Sequence, residues 1–215
     1  MSKIQEISNA VQAGKSKIVG GLVQEAINQG CDPSEILNVG MIDAMIIVGQ
    51  KFTKNEIFVP EMLVAARAMK KGVEILKPHL QGDDSTSVGK MIIGTVAGDL
   101  HDIGKNLVTM MMESAGFDVI DLGVDVPVER FVKAVKENED VCVVGVSALL
   151  TTTMPAMRDT VKALNNSGCK DRIKVMVGGA PITQEFADEI GADAYTEDAA
   201  SAAQVAKTFA TQALA

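Results

Sequence analysis

The chain has 215 residues, 47% of them apolar and 22% charged, which is the profile of a folded globular protein of one or two domains, long enough to bury a substantial core. Twenty Lys and Arg against 28 Asp and Glu leave a formal net charge of −8 with no basic run, which argues against nucleic acid and anionic membrane surfaces as partners, because both need clustered cations. Cys31, Cys142 and Cys169 are widely spaced and odd in number, so they fit neither a disulfide framework nor a zinc ribbon, and they predict a reducing cytoplasmic setting.

Aromatic residues make up only 3%, with no Trp and one Tyr, so the core must be aliphatic and Met-rich. The N-terminal residues Met1 to Glu6 contain no apolar signal region. The longest apolar-rich stretch, residues 39–48, is interrupted by Asp43 and reads as too short to span a bilayer.

The first 77 residues read as helices. Ile4, Ile7 and Val11 recur at helical spacing. A second helix over 16–29 places Ile18, Leu22 and Ala26 on one face, and Gly30 ends it. Asp32, Pro33 and Glu35 form a capping-box start for a third helix, apolar on most sides through Val48 and therefore expected at the centre of a packed unit. A fourth helix runs from near Pro60 to Lys77, where Pro78 stops it. Short connections make this half a small helix bundle. Residues 78–89 are polar and aperiodic and read as a linker.

From Lys90 the rhythm changes to short apolar runs alternating with amphipathic helices. Strands are expected at 91–96, 117–121, 141–147, 173–177 and weakly at 194–195, with helices at 104–115, 128–138, 154–165, 183–190 and 199–213. This alternation predicts a flavodoxin-like, Rossmann-type parallel α/β sheet in the order 2-1-3-4-5. The domain division is thus 1–88, helical bundle with linker, and 89–215, α/β domain.

Ligands of such sheets bind beyond the carboxyl ends of the strands, where the strand order reverses. The loops after strands 1, 3 and 4 therefore carry the search. After strand 1 stands Asp99-Leu100-His101-Asp102-Ile103-Gly104. A carboxylate two residues from an imidazole can fix its tautomer and strengthen it as a metal ligand. Taken alone, the loop is equally well a capping Asp beside an incidental His. After strand 3 come four hydroxyls in seven residues, Ser147, Thr151, Thr152 and Thr153. One suffices to cap the helix entering at Pro155, and the others call for a further explanation. After strand 4 comes Gly178-Gly179, a tight turn or a floor free of side chains.

The run Asp99-x-His101-x-x-Gly104, then Ser147-x-Leu149, then Gly178-Gly179, resembles the cobalamin-binding signature of B12-dependent methyltransferases and mutases. The helical half is also similar, through Val48-Gly49-Gln50-Lys51-Phe52 and Phe58-Val59-Pro60-Glu61-Met62, so the resemblance covers nearly the whole chain. The family in view is that of free-standing corrinoid proteins from methylamine, betaine, methanol and aryl-methyl-ether methyltransferase systems, together with the cobalamin module of methionine synthase.

The resemblance implies a cobalamin or related corrinoid bound base-off and His-on, with His101 as lower axial ligand to cobalt. It implies that Asp99 hydrogen-bonds His101 and that a hydroxyl near Thr153 extends the relay. Asp102, Ile103 and Gly104 belong to the cofactor-binding loop. The nucleotide tail would occupy a slot lined by Ser147, Leu149, Thr151, Gly178 and Gly179. Phe52 and Val59 would shield the upper side of the corrin, with Val59 standing where methionine synthase has a larger Leu-type residue. Residues 81–88 would act as a hinge that lets this lid open. The implied role is a methyl carrier, itself not a catalyst. It would accept a methyl group on cobalt(I) from a substrate-specific methyltransferase and pass it to a second one, whose acceptor is tetrahydrofolate or coenzyme M. A reductive activator would be a third partner.

Two other readings compete. A divalent-metal hydrolase using Asp99, His101 and Asp102 would need another protein ligand, and His79, the other histidine, lies in the linker. A signalling receiver domain shares the fold class but needs an Asp at the end of strand 3, where this chain has Ser147.

Overall fold

The computed structural model describes residues 2–80 and 87–213. The chain divides into two compact units, Met1–Thr86 with Ser114–Gly116, and Ser87–Glu113 with Phe117–Ala215. Of the expected linker and hinge, residues 81–86 lie outside the described residues.

The first unit is helical throughout. Helix α1 spans Lys3–Gln12, with the Ser2 side chain accepting from the backbone N–H of Gln5 at its start. Helix α2 spans Ser16–Asn28. Its buried face is Val19, Val23 and Ala26, while Ile18 is 50% exposed, which corrects the face expected from Ile18 and Leu22. Both registers satisfy a helical repeat, so spacing alone does not choose between them.

A continuous helical stretch follows, made of α3 (Pro33–Glu35), a π-helical segment (Ile36–Ile42) and α4 (Asp43–Thr53). Asp32 caps it by accepting from Ser34 N–H, with Pro33 in the first turn. Apart from Ile42, the buried residues Ile36, Leu37, Gly40, Met41, Ala44, Met45, Val48 and Gly49 repeat every four positions. A regular α-helix would rotate such a set by about 40° per turn. The wider π turns absorb that rotation and keep the set facing the core. At 21 residues, with an 18-residue window of mean hydropathy 1.3, Pro33–Thr53 is long and apolar enough to cross a membrane by length and composition, contrary to the shorter stretch read from sequence; half of that window is buried, as for the central helix of a bundle. Helix α5 (Val59–Leu76) starts at Phe58, whose N–H donates to the Glu61 carboxylate at 3.1 Å.

The second unit alternates strand and helix: β1 (Gly89–Thr95), α6 (Ile103–Ser114), β2 (Phe117–Asp121), α7 (Val128–Glu137), β3 (Val141–Ser147), α8 (Met154–Asn165), β4 (Lys174–Gly178), α9 (Gln184–Ile190), β5 (Ala194–Tyr195) and α10 (Ala199–Ala213). The strands are parallel in the order β2-β1-β3-β4-β5. Successive side chains point to opposite faces, and both faces are buried, which is why the strands read as unbroken apolar runs. On one face Ile92, Val144, Val146, Val175 and Val177 pack with Phe131 and Val135 of α7 and Met157, Val161 and Leu164 of α8. Met91, Ile93, Val143 and Met176, of opposite parity, are buried as well. This topology places the ends of β1, β3 and β4 side by side. Thr95 pairs with Ser147, and Ser147 with Gly178, so the three candidate loops leave the sheet from one row.

Candidate functional site

The site grows from Asp99, which is fully buried in the loop after β1. Its Oδ1 accepts from the backbone N–H of His101 at 3.1 Å and lies 2.7 Å from His101 Nδ1. Its Oδ2 accepts from the backbone N–H of Leu149 at 2.7 Å and from Thr153 Oγ1 at 2.8 Å. Burial pushes the Asp99 carboxyl up, but the donors from Leu149, His101 and Thr153 outweigh it and hold the group well below the usual carboxylate range. An ionised carboxylate only accepts hydrogen bonds, so Nδ1 is the donor in this contact, and in a neutral imidazole the lone pair is then on Nε2. With half its side chain exposed, the imidazole can present that nitrogen outward as a ligand.

The expected relay is therefore present as geometry, with Thr153, Asp99 and His101 in hydrogen-bonding sequence across two loops. Thr153 is buried at the end of a single 3₁₀ turn, Thr151–Thr153, and its one hydroxyl proton is shared between Asp99 and the Leu150 carbonyl, 2.9 Å away. Asp102 does not join the relay; its carboxylate accepts from the Asn106 side chain at 2.9 Å and its carbonyl from Asn106 N–H at 2.7 Å, which anchors the entry to α6. Ile103 and Gly104 open α6, and both are exposed.

Ser147 ends β3 and Gly178 ends β4, adjacent in the sheet. Thr151 and Leu149 are exposed beside them. A Cβ at Gly178 would meet open space, so its vacancy leaves room at the strand end. Gly179 is different, because the fold itself already requires glycine there, whatever it also lines. Its φ is 132°, and a Cβ would lie 1.8 Å from the Ala148 carbonyl oxygen, so the chain itself requires glycine there. Phe52 lies near the end of α4, partly buried, and Val59 begins α5, exposed; both belong to the helical unit.

Several contributors escape the sequence reading. Thr95, fully buried at the end of β1, donates its hydroxyl to the His101 carbonyl at 2.9 Å. Lys105, also buried, pairs with Asp121 at the end of β2 and donates to the Asn106 side chain at 2.7 Å, fixing the first turn of α6. Asp125, in the loop after β2, accepts from Gly98 N–H at 2.7 Å. The signal for Asp125 is its place in the turn Gly123-Val124-Asp125, in the one neighbouring loop that the search by switch point passes over.

Among the described residues, no three His, Cys, Asp or Glu side chains are grouped to hold a metal ion, which disfavours the hydrolase reading. Large apolar side chains stand exposed on the same loops as His101, among polar ones such as Asp102 and Thr151. Leu100 is 72% exposed and Ile103 86%, and Leu149 and Leu150 are exposed alongside. Among the described residues of this unit, these are the large apolar side chains turned to solvent. One half-exposed imidazole, large exposed apolar side chains on its own and the neighbouring loops, and a glycine at the next strand end suit a broad, flat metal-bearing ring better than a hydrated ion.

Comparison with known proteins points the same way. Residues 89–204 match a family model described as a B12 binding domain, and residues 3–77 match a second model of the same description. Among curated proteins, the chain is 45% identical over 206 residues to dimethylamine corrinoid protein 1 of Methanosarcina acetivorans, covering 95% of each chain. It is 40% identical over 198 residues to trimethylamine corrinoid protein 1 of the same organism, covering 91% of each. Among solved structures, it is similar to a chain of the methanol:cobalamin methyltransferase complex of Methanosarcina barkeri, with TM-score 0.85, 31% identity, and coverage of 97% of this chain and 80% of that one. A cobalamin-binding protein of Desulfitobacterium hafniense gives TM-score 0.82 and 30% identity, covering 97% of this chain and 99% of that one.

Proposed function

The chain belongs to the B12-binding family of corrinoid proteins, and from that premise we propose that it is the methyl carrier of a methylamine methyltransferase system, with His101 as the lower axial ligand of a base-off corrinoid. The observation that carries the reading is the 2.7 Å contact between Asp99 and His101 Nδ1, which leaves Nε2 as the nitrogen not engaged by Asp99 on a half-exposed ring. When bound, the corrinoid supplies a cobalt centre on which a methyl group can rest between donor and acceptor.

The protein's own residues do the rest. Asp99 fixes the imidazole tautomer and answers any positive charge that develops on the ring. Leu149 N–H and Thr153 Oγ1 keep that carboxylate ionised inside a dry loop. Leu100, Ile103, Leu149 and Leu150, exposed on these loops, would give a bound ring an apolar seat and would keep water from it. Ser147, Thr151 and Gly178 are assigned to the nucleotide tail. Phe52 and Val59 are assigned to the shielding of the methyl group on the resemblance alone.

The partners that follow from this reading are a substrate-specific methyltransferase that loads the carrier and a second methyltransferase that unloads it, with a reductive activator that restores the cofactor after oxidation. The names of the relatives favour a methylated amine as donor, with dimethylamine the first to test. The test is to reconstitute the purified chain with hydroxocobalamin, reduce it to the cobalt(II) state, and record electron paramagnetic resonance with unlabelled and ¹⁵N-histidine protein. A nitrogen coupling that changes with the histidine label is expected. A spectrum indifferent to the label overturns His101 as ligand, and failure to take up any corrinoid overturns the carrier reading.

A further inference from the structure

We propose that Asp125, in the loop between β2 and α7, is a positioning residue for His101 that acts through the backbone of Gly98 and Asp99. The proposal rests on the reading of His101 as axial ligand. Asp125 has φ 51°, the left-handed region that few residues other than glycine enter and that Asp tolerates better than most. In that conformation it makes two hydrogen bonds to one short stretch of the histidine loop. Its Oδ1 accepts from Gly98 N–H at 2.7 Å, and its own N–H donates to the Asp99 carbonyl at 3.0 Å. The two bonds run in opposite directions and engage the peptides on either side of the Gly98–Asp99 link, 97–98 through its N–H and 99–100 through its carbonyl, so together they limit rotation of the stretch between them.

The surrounding pairing explains why the clamp sits there. Thr95 N–H donates to the Gly123 carbonyl at 3.0 Å, and Val126 N–H donates to the Thr95 carbonyl at 2.9 Å. Val96 and Val126 form one further parallel bridge. The loop after β2 therefore lengthens the sheet beyond its last regular pair, and Asp125 stands where that pairing ends and the histidine loop departs. Gly98, with φ 80°, is the residue at which the loop turns away.

Asp99 is consequently held from two sides. The β3 side, through Leu149 and Thr153, fixes its carboxylate, and the β2 side, through Asp125, fixes its main chain. Neither hold alone sets the direction of the His101 ring, because a carboxylate anchored at its oxygens can still be reached by a main chain that pivots about them. Asp125 is exposed and contributes no core packing, so its loss changes the aim of the loop more than the stability of the sheet.

The experiment compares wild type, Asp125→Ala and Asp125→Asn, each loaded with hydroxocobalamin and reduced to the cobalt(II) state. The ratio of imidazole-coupled to uncoupled cobalt is read by electron paramagnetic resonance, and the melting temperature of the cofactor-free protein is measured in parallel. Asp125→Ala is expected to lower the ratio roughly tenfold, the worth of one charge-assisted hydrogen bond, with melting displaced by no more than about 2 °C. Asp125→Asn is expected to restore the ratio, since its amide oxygen accepts from Gly98 and Asn also tolerates the left-handed region. Full coupling in Asp125→Ala overturns the proposal. So does a loss of coupling in both variants that tracks a fall in melting temperature, which assigns Asp125 to folding alone. If wild type shows no imidazole coupling, the reading of His101 fails first and this proposal falls with it.

Discussion

A Cβ on Gly179 would lie 1.8 Å from the carbonyl oxygen of Ala148, the residue that follows β3. Ala148 N–H in turn donates to the Gly178 carbonyl at 3.2 Å, so the two strand ends are locked where the glycine pair turns. Gly179 is thus a structural necessity, while Gly178 borders open space. Gly179→Val is expected to destabilise the α/β unit by about 3 kcal/mol or more, through overpacking and an unfavourable φ, visible as a fall in melting temperature of the cofactor-free protein. Gly178→Ala should leave melting nearly unchanged and weaken complete cobalamin about tenfold, because a methyl group enters the space assigned to the tail. A corrinoid lacking the tail should bind wild type and Gly178→Ala alike. Equal losses for both ligands would move the tail elsewhere.

Asp99 and His101 should respond differently to substitution. His101 is half exposed on a loop, so His101→Ala is expected to alter stability by less than about 1 kcal/mol while removing imidazole coupling to cobalt. Asp99 is fully buried and surrounded by donors from His101, Leu149 and Thr153. Asp99→Asn turns an N–H₂ group towards at least one of those donors, so it should cost about 2 kcal/mol in chemical denaturation despite its near-identical shape. It should weaken imidazole ligation without abolishing it. Denaturation midpoints in which Asp99→Asn is as stable as His101→Ala would contradict this ranking.

The exposed apolar side chains of Leu100, Ile103, Leu149 and Leu150 offer a test on binding without a change in fold. Ile103 is 86% exposed, so Ile103→Gln removes no packing and should keep the melting temperature within about 2 °C. If the ring rests on these side chains, equilibrium uptake of hydroxocobalamin should fall roughly fivefold, the worth of about 1 kcal/mol of apolar contact. Unchanged affinity would place the ring away from the start of α6.

Much of the architecture was legible because parallel sheets announce themselves. Runs such as Val141 to Val146 must be buried on both faces, and the alternation with helices leaves few strand orders open. The Asp99–His101 pair was legible because its partners stand two residues apart and its local geometry follows from one loop. What escaped is carried by the backbone of distant segments. The bond from Leu149 N–H to Asp99, the clash that Ala148 would have with a side chain at Gly179, and the hold of Asp125 on Gly98 leave no mark on residue type beyond an Asp or a Gly that turns commonly use. The π-helical segment escaped because a repeat of four is easily taken for a helix apolar on every side. The buried face of α2 escaped because neighbouring positions offered two equally good apolar stripes.

Asp193, just before β5, gives the clearest dependence on pH. Its Oδ2 accepts from Val175 N–H at 2.7 Å and pairs with Lys170, and Lys174 stands 3.5 Å from Oδ1. Burial pushes the carboxyl up, but the Lys170 ammonium and the Val175 N–H prevail, with help from Lys174, and the group is held below the ordinary carboxylate range. Folding therefore favours the ionised form. The stability this supplies is complete above the unfolded value, about pH 4, and is lost as pH falls through the lower folded value. Asp193→Asn keeps an oxygen for Val175 N–H but removes the charge that Lys170 and Lys174 face. The substitution should lower stability at pH 7 and flatten the acid limb, so that the gap between the two unfolding curves narrows as pH falls below about 4. Urea midpoints taken from pH 7 down to pH 3 measure this directly. A constant gap between wild type and Asp193→Asn across that range would show that the loss is steric and that the ionised carboxylate contributes nothing to the anchoring of β5.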